Sequence, residues 1–355
     1  MHIPDGYLSP ATCAVTYALA LPCWYLAFAR VKRLLHTRTV PLLAVFSAFS
    51  FVIMMFNLPL PGGTTGHAVG VTIAAIVLGP WAAMVAVSIA LLIQAVFFGD
   101  GGITTFGANC LNMAVVGSLV GYWTYTLIAG KSSVSAARRV FAAALAGYLA
   151  INLAALLTAF EFGIQPMLFS DANGSPLYAP YPLSVAVPAM MLGHITFAGL
   201  AELVISGGLV AYLQRSHPEL LGRTLPEALA EQAPRSARSL WLGLAGLMIL
   251  SPLGLLAAGT AWGEWGAEDF ANPAARQEIL QASANVAPPS AAPQGLERLS
   301  SVWQAPIPDY APSFMHSASF GYILSAVFGC GLILLAFLLI SKLQRAKTSA
   351  DRHER

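Results

Sequence analysis

Residues 67–98 read HAVGVTIAAIVLGPWAAMVAVSIALLIQAVFF, and whether this stretch holds one span or two sets the parity of everything around it. About 20 apolar residues in a helix cross the roughly 30 Å of bilayer hydrocarbon. This run is well over that length and is interrupted at Gly79-Pro80. Proline starts a helix better than it continues one, because it lacks an N–H and crowds the preceding turn. The dipeptide predicts a tight hairpin of two spans, 67–79 and 80–98, with a single kinked helix as the alternative.

Outward from this stretch, further apolar runs cover 9–29, 40–57, 107–129, 139–161, 184–213, 240–260 and 319–341. The chain is 57% hydrophobic and only 10% charged, with a mean hydropathy of +0.69, the composition of an all-α polytopic membrane protein. Of its 18 Lys and Arg residues, all but Arg276 and Arg298 lie in or beside alternate loops near 30–39, 79–80, 130–138, 214–239 and 342–355. The positive-inside rule then places the N-terminus outside and the C-terminus inside. Merging 67–79 with 80–98 would put Lys131, Arg138 and Arg139 outside, so the charges favour the hairpin. This orientation implies a bacterial cytoplasmic (inner) membrane protein in contact with lipid.

The net charge of +2 is small and dispersed, which argues against a nucleic-acid partner. Cys13, Cys23, Cys110 and Cys330 lie singly in apolar segments, without CxxC spacing, and read as small buried hydrophobes. No Lys or Arg precedes the first apolar run, and Asp5 sits where a signal peptide would be basic. Met1 is therefore expected to remain, the more so because the bulky His2 disfavours its removal.

Three segments are expected: a membrane domain over 1–214 with seven spans, a polar inner linker over 215–239, and a two-span unit over 240–355 with an outer loop at about 261–317. That loop is rich in Ala, Pro, Ser and Gln and is expected to be weakly ordered in isolation, with Trp262, Trp265 and Trp303 as anchors.

The chemistry concentrates at Met1-His2-Ile3-Pro4-Asp5-Gly6. A free amine, the His2 backbone nitrogen and the His2 imidazole can close two fused chelate rings on one metal ion. Ni(II) and Cu(II) suit such planar nitrogen fields, whereas Mg(II) and Ca(II) prefer oxygen. His67, in PGGTTGHAVG, is the candidate fourth donor on the same face, although one histidine at a helix start is also ordinary. Asp5 is a candidate to orient an imidazole.

Other polar residues in the apolar runs keep two readings. His194 and Glu202, two helical turns apart, fit an interhelical network or an ion path. Gln94, Asn109 and Asn112 fit packing or ligation, and Asp100 in Gly-Asp-Gly-Gly fits a turn or a ligand. Gly117 and Gly121 form a GxxxG spacing suited to close helix packing. Gly130-Lys131-Ser132 lacks the upstream glycine of a phosphate loop, and no HExxH or GxSxG pattern occurs, so no enzyme activity or organic cofactor is expected. Uphill transport would need a gradient or partner subunits.

MHIPDGYLSP, NLPLPGGTTGHAVG, LGPWAAMVAVSIALLIQAVFFGDGGITTFGAN and GHITFAGLAELVISGGLVAYL closely resemble the NikM/CbiM substrate-binding (S) components of energy-coupling factor (ECF) transporters, over about residues 1–215. The resemblance implies metal ligands at Met1, His2 and His67, a transmembrane coupling protein and two ATP-binding subunits as partners, and Ni(II) as the transported ion, with Co(II) the other family substrate. GGTTGHAVG is similar to the nickel branch. The segment 240–355 is similar in layout to the small NikN/CbiN subunits, with SPLGLLAAGTAWGEWG and PQGLERL as its cues, which implies a role in metal loading or release. The runner-up is a gradient-driven permease or channel through His194 and Glu202.

Overall fold

The computed structural model describes residues 1–32, 40–130, 135–221 and 237–353. The basic residues Arg33, Arg38, Lys131, Arg223 and Arg235, and most of the expected linker, lie outside these described residues. Among the described residues seven helices are long and apolar enough to cross a membrane, and the shorter Val40–Met54 is apolar as well.

Helix α1 (Pro10–Val31) starts where Ser9 accepts a hydrogen bond from the Thr12 amide and Pro10 occupies the first turn, both standard N-terminal devices. At its other end the Arg30 guanidinium lies 4.1 Å over the Trp81 ring. Helix α2 (Val40–Met54) is buried along nearly its whole length. A two-stranded antiparallel hairpin follows, β1 (Leu58–Leu60) with β2 (Thr64–Gly66). This small sheet was not expected from the apolar pattern. It turns through Gly62 and Gly63, both at positive φ, which glycine adopts without steric cost.

The stretch quoted at the outset resolves into two helices. Helix α3 covers only Val71–Leu78, and α4 runs over Pro80–Ile93 and continues as a wide π turn through Phe98. Gly79 between them has φ 85° and ψ 158°, so the chain is broken there rather than kinked. The expected span 67–79 needs correction, because eight residues rise only about 12 Å and cannot cross on their own. Buried residues 64–70, strand β2 and a non-helical stretch after it, lead into α3. Non-helical backbone is tolerated at such depth only inside protein, where other groups satisfy it.

Helix α5 (Phe106–Ala129) contains a π turn at Cys110–Val116, and α6 (Ala136–Gly163) starts at a Ser135 cap. Helix α7 (Leu183–Ser216) has its own π turn at His194–Ala198. Gly121 lets α5 approach α3, since a Cβ there would stand 2.5 Å from the Thr72 hydroxyl, as the GxxxG spacing predicts. Cys13, Cys110 and Cys330 are buried, Cys23 is partly so, and all four are free.

Helix α8 (Arg238–Leu250) and the long C-terminal helix α9 (Ala318–His353) pack against α2. Gly329 of α9 faces Phe51, whose ring fills the space a side chain would need. The loop between them, expected to be weakly ordered in isolation, is folded against the rest of the chain. It carries short helices at Pro273–Ala282 and Gln294–Leu299. Trp262 and Trp265 are buried in protein, with the Trp262 indole donating to Ser283 Oγ at 3.2 Å. Trp303 donates to the Val96 carbonyl at 2.9 Å, and the Ile307 amide to Phe97 at 2.9 Å. The loop's apolar surface is modest, but it is covered by the rest of the chain rather than left to itself.

Candidate metal centre

The N-terminal segment enters the bundle as an extended chain and is pinned residue by residue. Asn109 holds Ile3 at both ends of its peptide, accepting from the amide at 2.8 Å and donating to the carbonyl at 3.1 Å. Thr105 Oγ1 also donates to the Ile3 carbonyl, as does the Gly102 amide. Asp5 accepts from the amides of Ile103 and Thr104 at 3.0 and 2.7 Å and from the Thr104 hydroxyl. Gly102 lies so close to Asp5 that no side chain fits there. Asp5 is thus a clamp between the terminus and the loop at 99–105. The expectation that it orients an imidazole is not met, because Asp100 does this instead.

Asp100 Oδ1 lies 2.5 Å from His2 Nδ1. Its other oxygen accepts from Gln94 Nε2 at 3.1 Å and from the Tyr310 hydroxyl at 2.5 Å, and Gln94 also donates to Tyr310 at 2.8 Å. Burial alone would raise the Asp100 carboxyl, but His2, His67 and Tyr310 outweigh it and hold the group well below the usual carboxylate range. Burial and the neighbouring Asp100 push the Tyr310 hydroxyl well up, so it remains a donor.

His67 arrives from the other side. Its Nδ1 faces the Ala68 carbonyl at 3.0 Å, and a carbonyl only accepts, so Nδ1 carries the proton and Nε2 keeps its lone pair. The His2 and His67 rings stack with centroids 5.0 Å apart. Both residues are buried, and the Nε2 atoms of both lack a hydrogen-bond partner. Buried imidazole nitrogens are ordinarily satisfied, and the unpartnered Nε2 of His67 is free to take a ligand. The Met1 amine, also buried, pairs with Glu264 Oε1 at 3.0 Å. His2, His67 and Glu264 border a cavity of about 330 Å³, which Asp309 and Tyr310 of the C-terminal unit also line.

Among the described residues no three His, Cys, Asp or Glu side chains converge as a metal cage. Side chains alone do not make this site; the main-chain nitrogens of the terminus must contribute. The His2 nitrogen able to close a six-membered ring with its own amide is Nδ1, and that atom is now turned to Asp100. The donor set fits a planar nitrogen field once two ion pairs, Met1–Glu264 and His2–Asp100, are given up.

The remaining candidates divide. Gln94, Asp100 and Asn109 surround the site as described. Asn112 instead donates to Thr158 and Glu161, joining α5 to α6. Glu202 accepts from the amides of Val69 and Gly70 at 2.8 and 2.9 Å and from Ser206. His194 Nδ1 faces Met190 O at 2.8 Å, and its Nε2 has no partner. No bond joins His194 to Glu202, and both make the contacts of a packing network rather than a continuous path.

Sequence reasoning missed Glu264 and Tyr310. The signal available for Glu264 was one carboxylate set between tryptophans in AWGEWG; Tyr310 gave none.

The pattern described as CbiM, cobalt uptake substrate-specific transmembrane region, matches residues 2–220. The chain belongs to the CbiM family. Its remaining part, residues 236–346, matches the PDGLE domain. This CbiM-family chain is 59% identical over 334 residues to the fused nickel transport protein NikMN of Rhodobacter capsulatus, covering 94% of this chain and 95% of that one. It is 42% identical over 356 residues to the probable fused nickel transport protein LarMN of Lactiplantibacillus plantarum, covering 99% and 100%. Among solved structures, a truncated transition metal transporter superposes with a TM-score of 0.57 at 51% identity, over 61% of this chain and all of that one. The family and its fusion to a second unit agree with the resemblance noted in the sequence.

Proposed function

We propose that this chain is the substrate-binding component of an energy-coupling factor importer for Ni(II), with Co(II) as the lesser substrate. One observation carries the reading: His2 and His67 stack at the edge of one cavity, His67 with an unpartnered Nε2, beside the buried amine of Met1 on Glu264. The likeness to proteins named for nickel transport supports nickel over cobalt.

In this reading the cation enters from the outer face of a bacterial cytoplasmic membrane, with the N-terminus outside and the C-terminus inside. The Met1 amine, the His2 amide and imidazole, and His67 Nε2 supply four nitrogens. Asn109, Thr105 and Asp5 hold the terminus in register, so little order is lost on binding. Glu264 and Asp100 pair with the amine and imidazole while no cation is bound and give them up when the metal enters, the protons released from the amine and the His2 amide passing to these carboxylates or to water. A transmembrane coupling protein and two ATP-binding subunits drive release inward. The reading divides the chain into a metal-binding unit 1–214, a linker 215–239 and a two-span unit 240–355.

Calorimetric titration and absorption spectroscopy of the purified protein test the site. Wild type should bind Ni(II) tightly with the colour of a planar nitrogen complex, and His2→Ala and His67→Ala should each abolish it. Unchanged binding in either variant overturns the assignment. Uptake into vesicles that depends on ATP and partner subunits supports the importer. Uptake by the chain alone would favour a gradient-driven permease.

A further inference from the structure

Glu202 is wholly buried in α7, and all three of its contacts donate to it: the amides of Val69 and Gly70 and the Ser206 hydroxyl. Acceptance from three donors is the pattern of an ionised carboxylate. Two of those donors lie at the entry to α3, Gly70 as its N-cap residue and Val69 just before it. A helix start carries unpaired N–H groups and roughly half a positive charge. Here that start follows His67 by a few residues, so its positive potential lies near the proposed cation site.

Two features make this capping specific. Gly70 sits at φ 70° with the Phe49 ring against it, a Cβ there standing 2.5 Å from the ring. The turn from His67 into α3 is thereby forced into one shape, with its amides turned to α7. Second, no side chain caps α3 from its own N-cap residue. Glu202, 132 residues away from Gly70 in sequence, does the work that a local Ser or Asp ordinarily does.

We infer that Glu202 is a positioning residue for the metal site, fixing the His67 loop through the Val69 and Gly70 amides and cancelling the half-helix charge that would otherwise repel a divalent cation. The inference rests on the proposed nickel site. It separates two contributions, hydrogen-bond geometry and charge, which two variants remove differently. Glu202→Gln keeps an acceptor oxygen but loses the charge. Glu202→Ala loses both.

The test is nickel titration and absorption spectroscopy of wild type, Glu202→Gln, Glu202→Ala and His67→Ala, with thermal melting of each. Glu202→Gln should keep the wild-type spectrum while its affinity falls several-fold. Glu202→Ala should bind at least tenfold more weakly, with the planar-nickel band shifted or weakened relative to wild type and His67→Ala as the colourless reference, because the fourth nitrogen is less well presented. Should Glu202→Ala fail to fold, Glu202→Gln decides, and wild-type affinity in that variant overturns the charge role. Wild-type affinity and spectrum in Glu202→Ala overturn the whole inference. The absence of a planar nickel spectrum in wild type would instead overturn the metal-site reading itself.

Discussion

Two lengths of non-helical backbone meet at the site, and they are held by opposite means. The terminus, residues 1–5, is fastened by side chains reaching to its own peptide groups, from Asn109, Thr105 and Glu264, and by Asp5 reaching back to Thr104. The His67 loop is fastened through secondary structure, between a short hairpin and a half-helix whose start is capped by Glu202. A terminus can be located only by register, so its function is exquisitely sensitive to length. A loop set between two elements is located by those elements, and tolerates small changes that leave them intact.

That contrast is broken most severely by adding one residue before Met1. The amine would be displaced from the chelate and from Glu264, and calorimetry should show nickel affinity reduced on the order of a hundredfold or more, beyond the range for changes that leave the ligands themselves in place. A comparable one-residue insertion at Gly63, at the hairpin tip where a side chain would meet nothing within 4 Å although the Gly63 carbonyl packs on Gly259, should cost far less affinity. Equal losses in the two would erase the distinction.

Asp100→Ala comes next. It removes the carboxylate that competes with the metal for His2 Nδ1, together with the anchor of Gln94 and Tyr310, and titration should read nickel affinity raised several-fold. On the loop side, Gly70→Ala places a Cβ against Phe49 at a left-handed φ. It should lower stability by about 1–3 kcal/mol, seen as an earlier thermal transition. The smallest expected effect is Trp303→Phe, which gives up one hydrogen bond to Val96 at a partly exposed site. About 0.5–1.5 kcal/mol is the usual worth of such a bond, and its loss in a melt gauges how firmly the C-terminal loop is seated.

Much of this was legible beforehand. Pro80 after Gly79 announced two helices because proline's geometry allows little else, and runs such as 319–341 have one physical solution in a membrane. His2 and His67 were legible because few chemistries explain a histidine beside an amine. The third span was over-read: apolar residues 67–70 are buried as non-helical chain, and hydropathy does not distinguish a buried strand from a buried helix. Asp5 and Asp100 exchanged roles because both are acidic residues near glycine, and only the fold decides which one faces an imidazole. The loop at 261–317 was taken for weakly ordered because its surface was judged in isolation, while the faces that cover Trp262 and Trp265 belong to distant sequence.

The Met1–Glu264 pair joins groups 263 residues apart, and Gly6 meets the backbone of Leu296. During synthesis the terminus leaves the ribosome first and its partners follow much later. At about 5–20 residues per second, the amine waits on the order of a quarter-minute to a minute before Glu264 exists. For that interval the first residues stand open to processing enzymes and to any metal nearby. The centre is therefore begun by the first codons and closed among the last.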